Sequence, residues 1–220
     1  MKKISFINGS PKGKNSLSFK LLNQLGSIID DEKNIINVNF KGTYEEKVFK
    51  NIIKSDAIVI SFPLYYYCLP GVLLNFIQQF YEYSKNKNIN EKCIRVYAIV
   101  NCGFPEPQIN EEAIKVIKNF CNKTNLYFRF AVSIGSGGFI DATKDLPLFK
   151  KDSFNINNAL ELIKSDIHRK SDKEDLDNIM IKPFLPKALV LFISSKSWYF
   201  LSKKNGLGKE ELYKKPYLKS

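Results

Sequence analysis

The chain has 220 residues, 44% apolar and 25% charged, with a net charge of +12. At this length a chain buries about 70% of its unfolded surface and needs no disulfide or metal staple, and the composition excludes a disordered or fibrous protein. The charge comes almost wholly from lysine, Arg95, Arg129 and Arg169 being the only arginines, which reads as a solvated surface and not as the arginine-led recognition of nucleic acid.

In chain order, residues 2–8, 35–40, 56–62, 94–101 and 127–134 read as strands, several of them almost continuously apolar and β-branched, as in strands covered on both faces. Between them, residues 16–29, 45–54, 71–84 and 109–123 carry apolar positions at helical spacing, for example Leu17, Leu21, Leu22, Leu25 and Ile28. Five strands alternating with four helices predict a parallel, doubly wound sheet whose ligand site lies beyond the carboxyl ends of its strands. The last third shows no strand pattern. Residues 155–168 read as a helix, 170–178 as a charged surface turn, and 188–201 as an apolar run before a lysine-rich tail. The expected division is a domain at 1–150 and a helical extension at 151–220, packed on that domain or on a second subunit.

Cys68, Cys93, Cys102 and Cys121 form no CxxC pair, and His168 is the only histidine, so no metal site is expected. The opening residues read as a strand and not as a leader, which predicts a reducing cytoplasm and four free, buried thiols. No helix-turn-helix, zinc-finger or RNA-recognition pattern is present, so nucleic acid is not expected as a partner.

Four segments at predicted strand ends carry the chemistry. Asn8-Gly9-Ser10-Pro11-Lys12-Gly13-Lys14-Asn15-Ser16-Leu17-Ser18 runs from a strand into a helix start, where unpaired N–H groups and the helix dipole favour an anion. Ser10, Ser16 and Ser18 offer hydroxyls and Lys12 or Lys14 a positive charge; the competing reading makes Asn15 or Ser16 a plain N-cap. Walker A and GxGxxG spacings are both missing, so the loop suits a single terminal phosphate. Pro63-Leu64-Tyr65-Tyr66-Tyr67-Cys68 puts three tyrosines in a loop, fitting a planar aromatic ligand or a subunit interface. Asn101-Cys102-Gly103-Phe104 permits close backbone approach at Gly103, and the glycines of Gly135-Ser136-Gly137-Gly138 read as flanking a ligand or as relieving a tight turn.

These motifs resemble the flavodoxin-like NADPH-dependent FMN reductases and NAD(P)H:quinone oxidoreductases over residues 3–140 and again in the tail at 203–217. Gly9-Ser10-Pro11-Lys12 with Ser16-Leu17-Ser18 is similar to that family's phosphate loop, with Lys12 for its usual arginine and Leu17 for a frequent asparagine. Pro63-Leu64-Tyr65-Tyr66 resembles its flavin loop, and the stretch at 101–106 is similar to another family segment. The resemblance implies a five-stranded sheet in order 2-1-3-4-5, FMN, NAD(P)H as reductant, a small-molecule electron acceptor and a homodimer. The flavin then carries the redox chemistry and no side chain need be catalytic; the residues implied in binding it are Ser10, Lys12, Asn15, Ser16, Leu17, Ser18, Pro63, Leu64, Tyr65, Tyr66, Tyr67, Asn101, Cys102, Gly103 and Phe104. His168 reads as a surface residue.

Two alternatives stay open: an electron carrier without turnover of its own, which the basic charge disfavours, and a basic protein of the membrane surface. From Lys182 to Ser220 there are nine lysines against two glutamates. The apolar run there reads either as a helix packed on the sheet or a second subunit, which the family resemblance favours, or as an interfacial helix on anionic lipid.

Overall fold

Alternate residues of the central strands enter different cores. In the computed structural model, which describes residues 1–85, 93–170, 176–208 and 210–215, strands β3 (Ala57–Pro63) and β4 (Arg95–Asn101) send Ile58, Ile60, Phe62, Val96, Ala98 and Val100 to one face and Ala57, Val59, Tyr97 and Ile99 to the other. This is the period-two alternation of a strand whose two faces are both covered. Helices α2 (Glu46–Ile53), α3 (Gly71–Lys85) and α4 (Glu111–Lys123) cover the first face through residues such as Phe49, Phe76 and Ile117. Helices α1 (Leu17–Ile28), α5 (Gly137–Thr143) and α6 (Lys150–His168) cover the second through Leu22, Ile140 and Ile163.

With β1 (Lys3–Asn8), β2 (Glu32–Asn37), β5 (Tyr127–Ile134) and β6 (Ile179–Ile181), the strands form one parallel sheet in order β2-β1-β3-β4-β5-β6. The expected order 2-1-3-4-5 is present, extended by a sixth strand where no strand was expected. β6 has three residues, too few for an alternation to register in the sequence, and pairs with Val132–Ile134. Strand β2 lies three residues before its expected span, because its register is set by β1, Lys3 opposite Glu32 and Asn8 opposite Asn37. The glycine-rich stretch at 135–138, expected as a turn, starts helix α5.

By internal contacts the chain forms two units, Met1–Lys182 and Pro183–Ser220, and both α6 and β6 belong to the first. The second contains α7 (Lys187–Lys204). Most of the expected charged turn, 171–175, and residues 209, 216 and 217 of the tail lie outside the described residues. Cys102 and Cys121 are buried and Cys68 is half-buried; Cys93 is exposed, against the expectation of burial, because it precedes the point where β4 enters the sheet.

All three arginines meet the C-terminal end of α6, away from the expected ligand edge. Arg129 grips the buried Asp166 carboxylate with Nε at 2.7 Å and a second nitrogen at 2.8 Å, and Tyr97 donates to the same carboxylate at 2.8 Å. Arg95 donates to the carbonyls of Asp166, Ile167 and Arg169 at 2.6–3.0 Å, satisfying helix-end acceptors, while the Arg169 guanidinium lies 3.7 Å from the carboxylate. Burial pushes the Asp166 carboxyl up, but the hydrogen bonds from Arg129 and Tyr97 outweigh it and hold the group below its ordinary value. Its ionised form therefore supports the fold above the ordinary carboxylate range, and that support is lost as pH falls through the lowered value. Asp166→Asn, which removes the carboxylate that the buried Arg129 guanidinium grips at two nitrogens, is expected to reduce stability by about 3–5 kcal/mol. Urea unfolding of both forms at neutral and acid pH checks it, the difference shrinking in acid.

Candidate functional site

The carboxyl ends of β1, β3, β4 and β5 come level at one edge of the sheet: Asn8 is opposite Ser61, Pro63 opposite Asn101, and Asn101 opposite Ile134. The chain leaves β1 for a helix on one face and β3 for a helix on the other, so the loops after these strands diverge at the switch in strand order. The segments at 9–18, 63–68 and 101–104 meet here, joined by backbone bonds from Gly9 to Ser61 (2.8 Å) and from Leu64 to Asn101 (2.8 Å).

The loop after β1 is organised by a residue not among those expected in the site. The Asn8 side chain is fully buried at the end of β1, directly after Phe6 and Ile7. Its Nδ2 donates to the Gly13 carbonyl at 2.9 Å and to Asn37 Oδ1 at 2.8 Å, and its Oδ1 accepts from the Ser10 amide at 3.2 Å. A carboxamide at the last position of β1, just before the glycine and serine of the loop, was the available signal. Gly13, at φ +56°, turns the chain into a short 3-10 segment over Gly13–Asn15.

The Ser16 hydroxyl is the N-cap of α1, accepting from the Phe19 amide at 3.1 Å while donating to the Gly13 carbonyl at 2.7 Å. Ser18 Oγ accepts from Asn101 Nδ2 at 3.1 Å, tying the first loop to the third. Ser10 Oγ accepts from the Lys12 amide at 3.3 Å. The amides of Lys14, Leu17 and Ser18 have no hydrogen-bond partner among the described residues. No acidic side chain occupies the first turn of α1, and Lys12, Lys14 and Asn15 are exposed. Open amides, a helix N-terminus and two nearby lysines make this a positive, donor-rich surface.

Tyr65 and Cys68 exchange backbone hydrogen bonds of 2.9 and 3.0 Å around a tight turn. Its two central residues, Tyr66 and Tyr67, both have positive φ, +49° and +60°, which is left-handed backbone favoured by Gly and Asn and costs about 1–2 kcal/mol for other residues. Tyr66 is fully exposed, so its ring repays none of that within the chain. Tyr67 stacks on Phe104 of the third loop, with centroids 6.0 Å apart and planes at 21°. Two loops thus share one exposed aromatic surface.

The fourth segment supports the third from behind. The Cys102 amide donates to Ile134 at 3.0 Å, Gly137 to Cys102 at 2.9 Å and Ser136 to Phe104 at 2.6 Å. A Cβ on Gly135 would lie 2.4 Å from the Pro105 carbonyl oxygen, and one on Gly137 would lie 2.9 Å from Leu17 Cδ2 and 3.0 Å from Asn101 Cβ. These glycines are thus required by close packing and not by flexibility. At Gly103, by contrast, an added Cβ meets nothing within 4 Å. Burial pushes the Cys102 thiol up, against backbone hydrogen bonds at Phe104 and Ser136, which favours the unreactive thiol form. His168 lies on α6 outside this edge, its Nε2 2.6 Å from Asp31 Oδ2.

No protein-family model and no curated protein matches the chain. Solved structures do. An NAD(P)H:quinone oxidoreductase from Methanothermobacter marburgensis aligns with a TM-score of 0.59 at 9% identity, over 79% of this chain and 99% of that one. General stress protein 14 from Treponema denticola, solved in complex with FMN, gives 0.58 at 12% identity over 76% and 100%. An apo NADH:FMN oxidoreductase gives 0.55 at 15% identity over 80% and 94%.

Asn8→Ala is expected to destabilise the protein by about 2–3 kcal/mol, since it strips partners from buried groups of the loop. Chemical denaturation measures this, and hydrogen exchange is expected to show the loss first at residues 9–16. The strand order and the structures it matches make this chain a protein of the flavodoxin-like α/β fold.

Proposed function

We propose that this edge binds FMN and that the protein is an oxidoreductase passing electrons from NAD(P)H to a small-molecule acceptor such as a quinone, a nitro or azo compound, or free flavin. The observation that carries the reading is the set of open amides at Lys14, Leu17 and Ser18 on the same sheet edge as the Tyr67–Phe104 aromatic surface. The first suits a terminal phosphate and the second a flat ring system, which together describe a flavin mononucleotide. Proteins of the same fold described as an FMN oxidoreductase, an FMN complex and a quinone oxidoreductase support it. The reading also carries the homodimer and the reducing cytoplasmic setting expected from the sequence.

The residues present fit such a group. The Leu17 and Ser18 amides would donate to phosphate oxygens, with Asn8 and the Ser16 cap holding the loop in shape. Lys12 and Lys14 would add positive charge. Backbone at 64–67 and 102–104 would meet the polar edge of the ring, Gly103 allowing close approach. FMN, when bound, supplies the centre that accepts and returns hydride. The protein's own part is to bind, orient and leave one ring face open to alternating substrates, and the residues with these parts are those expected from the sequence together with Asn8.

FMN is expected to bind at least about tenfold more tightly than riboflavin, a difference of about 1.4 kcal/mol assigned to the phosphate. Flavin fluorescence titration checks this, and equal affinities would overturn the phosphate site. Rapid-mixing with NADH and NADPH is then expected to bleach the bound flavin with at least one of them; an electron carrier would show neither bleaching nor turnover.

Gly103→Val separates binding from folding. A Cβ added there meets no protein atom within 4 Å, so stability is expected to stay within about 0.5 kcal/mol of the parent, whereas FMN affinity falls at least about tenfold because the backbone approach is blocked. Thermal unfolding and flavin titration on the same sample report the two effects separately.

A further inference from the structure

The only histidine of the chain closes helix α6, and both of its ring nitrogens face oxygens that accept hydrogen bonds. His168 Nδ1 is 2.8 Å from the Lys164 carbonyl oxygen, and Nε2 is 2.6 Å from Asp31 Oδ2 in the turn between α1 and β2. A carbonyl oxygen has no proton to give, and a carboxyl has one only when it is protonated. Burial pushes the Asp31 carboxyl up, but hydrogen bonds from the Lys2 amide and the His168 ring outweigh it and hold the group below its ordinary value. Two acceptors need two donors, and only the imidazolium ion carries a proton on each nitrogen. A neutral ring keeps one bond and turns a lone pair toward the other oxygen.

The pair sits where three elements meet. From β1, the Lys2 amide donates to Asp31 Oδ1 at 2.8 Å, the Lys2 ammonium donates to the Ile167 carbonyl, and the terminal amino group acts on Asp31 from the same side. From the turn before β2, Asp30 is exposed and Glu32 is paired with Lys3 at 3.5 Å. On α6 itself, the Lys164 ammonium lies 3.4 Å from Glu161 and the Arg169 guanidinium 3.7 Å from Asp166. Among these groups Asp31 is the carboxylate that meets the ring. The last turn of a helix also suits a cation, because its carbonyls carry the negative end of the dipole. The Ile167 carbonyl, held by Lys2 and by Arg95, ties the helix end to β1 and β4, whereas the His168–Asp31 bond ties it to the turn between α1 and β2. We propose that His168 and Asp31 form a pH-sensitive latch: the imidazolium fastens the end of α6 to the turn before β2, and loss of one ring proton as pH rises releases it. The latch stabilises the helix end on the acid side of the ring's titration and is lost on the basic side. It lies away from the loops that follow the strands and stands independently of the flavin reading.

With one histidine in the chain, a single set of ring signals in a proton NMR titration reports its protonation directly. Amide-exchange protection, corrected for the intrinsic rate at each pH, is expected to fall at least about fivefold at residues 165–169 over the same interval in which the ring signals move, the size of a charge effect at a helix end. His168→Gln offers a donor and no charge; in it, protection at those residues is expected to be low and independent of pH. The urea midpoint of the parent is expected to exceed that of this variant at about pH 6 and to equal it at about pH 9. Asp31→Asn keeps an acceptor for the Lys2 amide without the charge and is expected to give the same loss, the double variant losing no more than either alone. Protection that stays constant in the parent while the ring titrates overturns the proposal. So does a fall that His168→Gln reproduces, or two single losses that add in the double variant.

Discussion

A parallel sheet covered on both faces is the constraint from which the rest follows. Every strand must enter from the same end, so the segments after β1, β3, β4 and β5 all emerge at one edge, however far apart they lie in the chain. Helices on both faces force the paths after β1 and β3 apart, leaving the divergence open to a ligand. The phosphate-type loop, the tyrosine turn and the Gly103 segment are neighbours for this reason and no other. Their separate sequence signals are weak; the sheet makes them one candidate site.

Within that frame, buried polar groups hold the two ends of the sheet in different ways. At the edge where the loops gather, the Asn8 carboxamide bonds to backbone and to Asn37, while Asn101 bridges to Ser18 and the Phe62 carbonyl. These neutral bonds shape loops without adding charge, leaving the helix N-terminus and lysines as the local field. At the far end, Arg129, Tyr97 and Arg95 close on Asp166 and the last turn of α6. The charged cluster joins the end of a long helix to β4 and β5. The strain at Tyr66 and Tyr67 belongs to the first end, where left-handed backbone is held by the Tyr65–Cys68 bonds.

Much of the first unit was legible beforehand because long apolar strands and striped helices report directly on burial. β3, β4 and β5 fell within one residue of their expected bounds, and so did α1, α2 and α3. Shorter or less apolar elements did not: β6 has three residues, β2 is an edge strand with a polar first half, and α5 begins in glycines that normally signal a turn. In each case pairing or packing elsewhere overrides the local preference. Gly137 lies in a helix because Leu17 and Asn101 leave no room for a side chain there.

By itself the sequence determined the doubly wound parallel class, the sheet edge at which the loops gather, and the residue types found there, since periodicity and strand-end position are local properties. Tertiary structure alone decided which polar groups are already satisfied. The Ser16 hydroxyl is used by its own helix, whereas the Leu17 and Ser18 amides remain open, and no pattern of residue types separates those cases. It also decided that Asn8 organises the loop, that Tyr67 and Phe104 meet, and that Arg95 and Arg129 close on the last turn of α6, one on its carbonyls and the other on the Asp166 carboxylate. Each of these joins residues distant in sequence through hydrogen-bond or ring geometry, and that geometry exists only after the sheet has set its register.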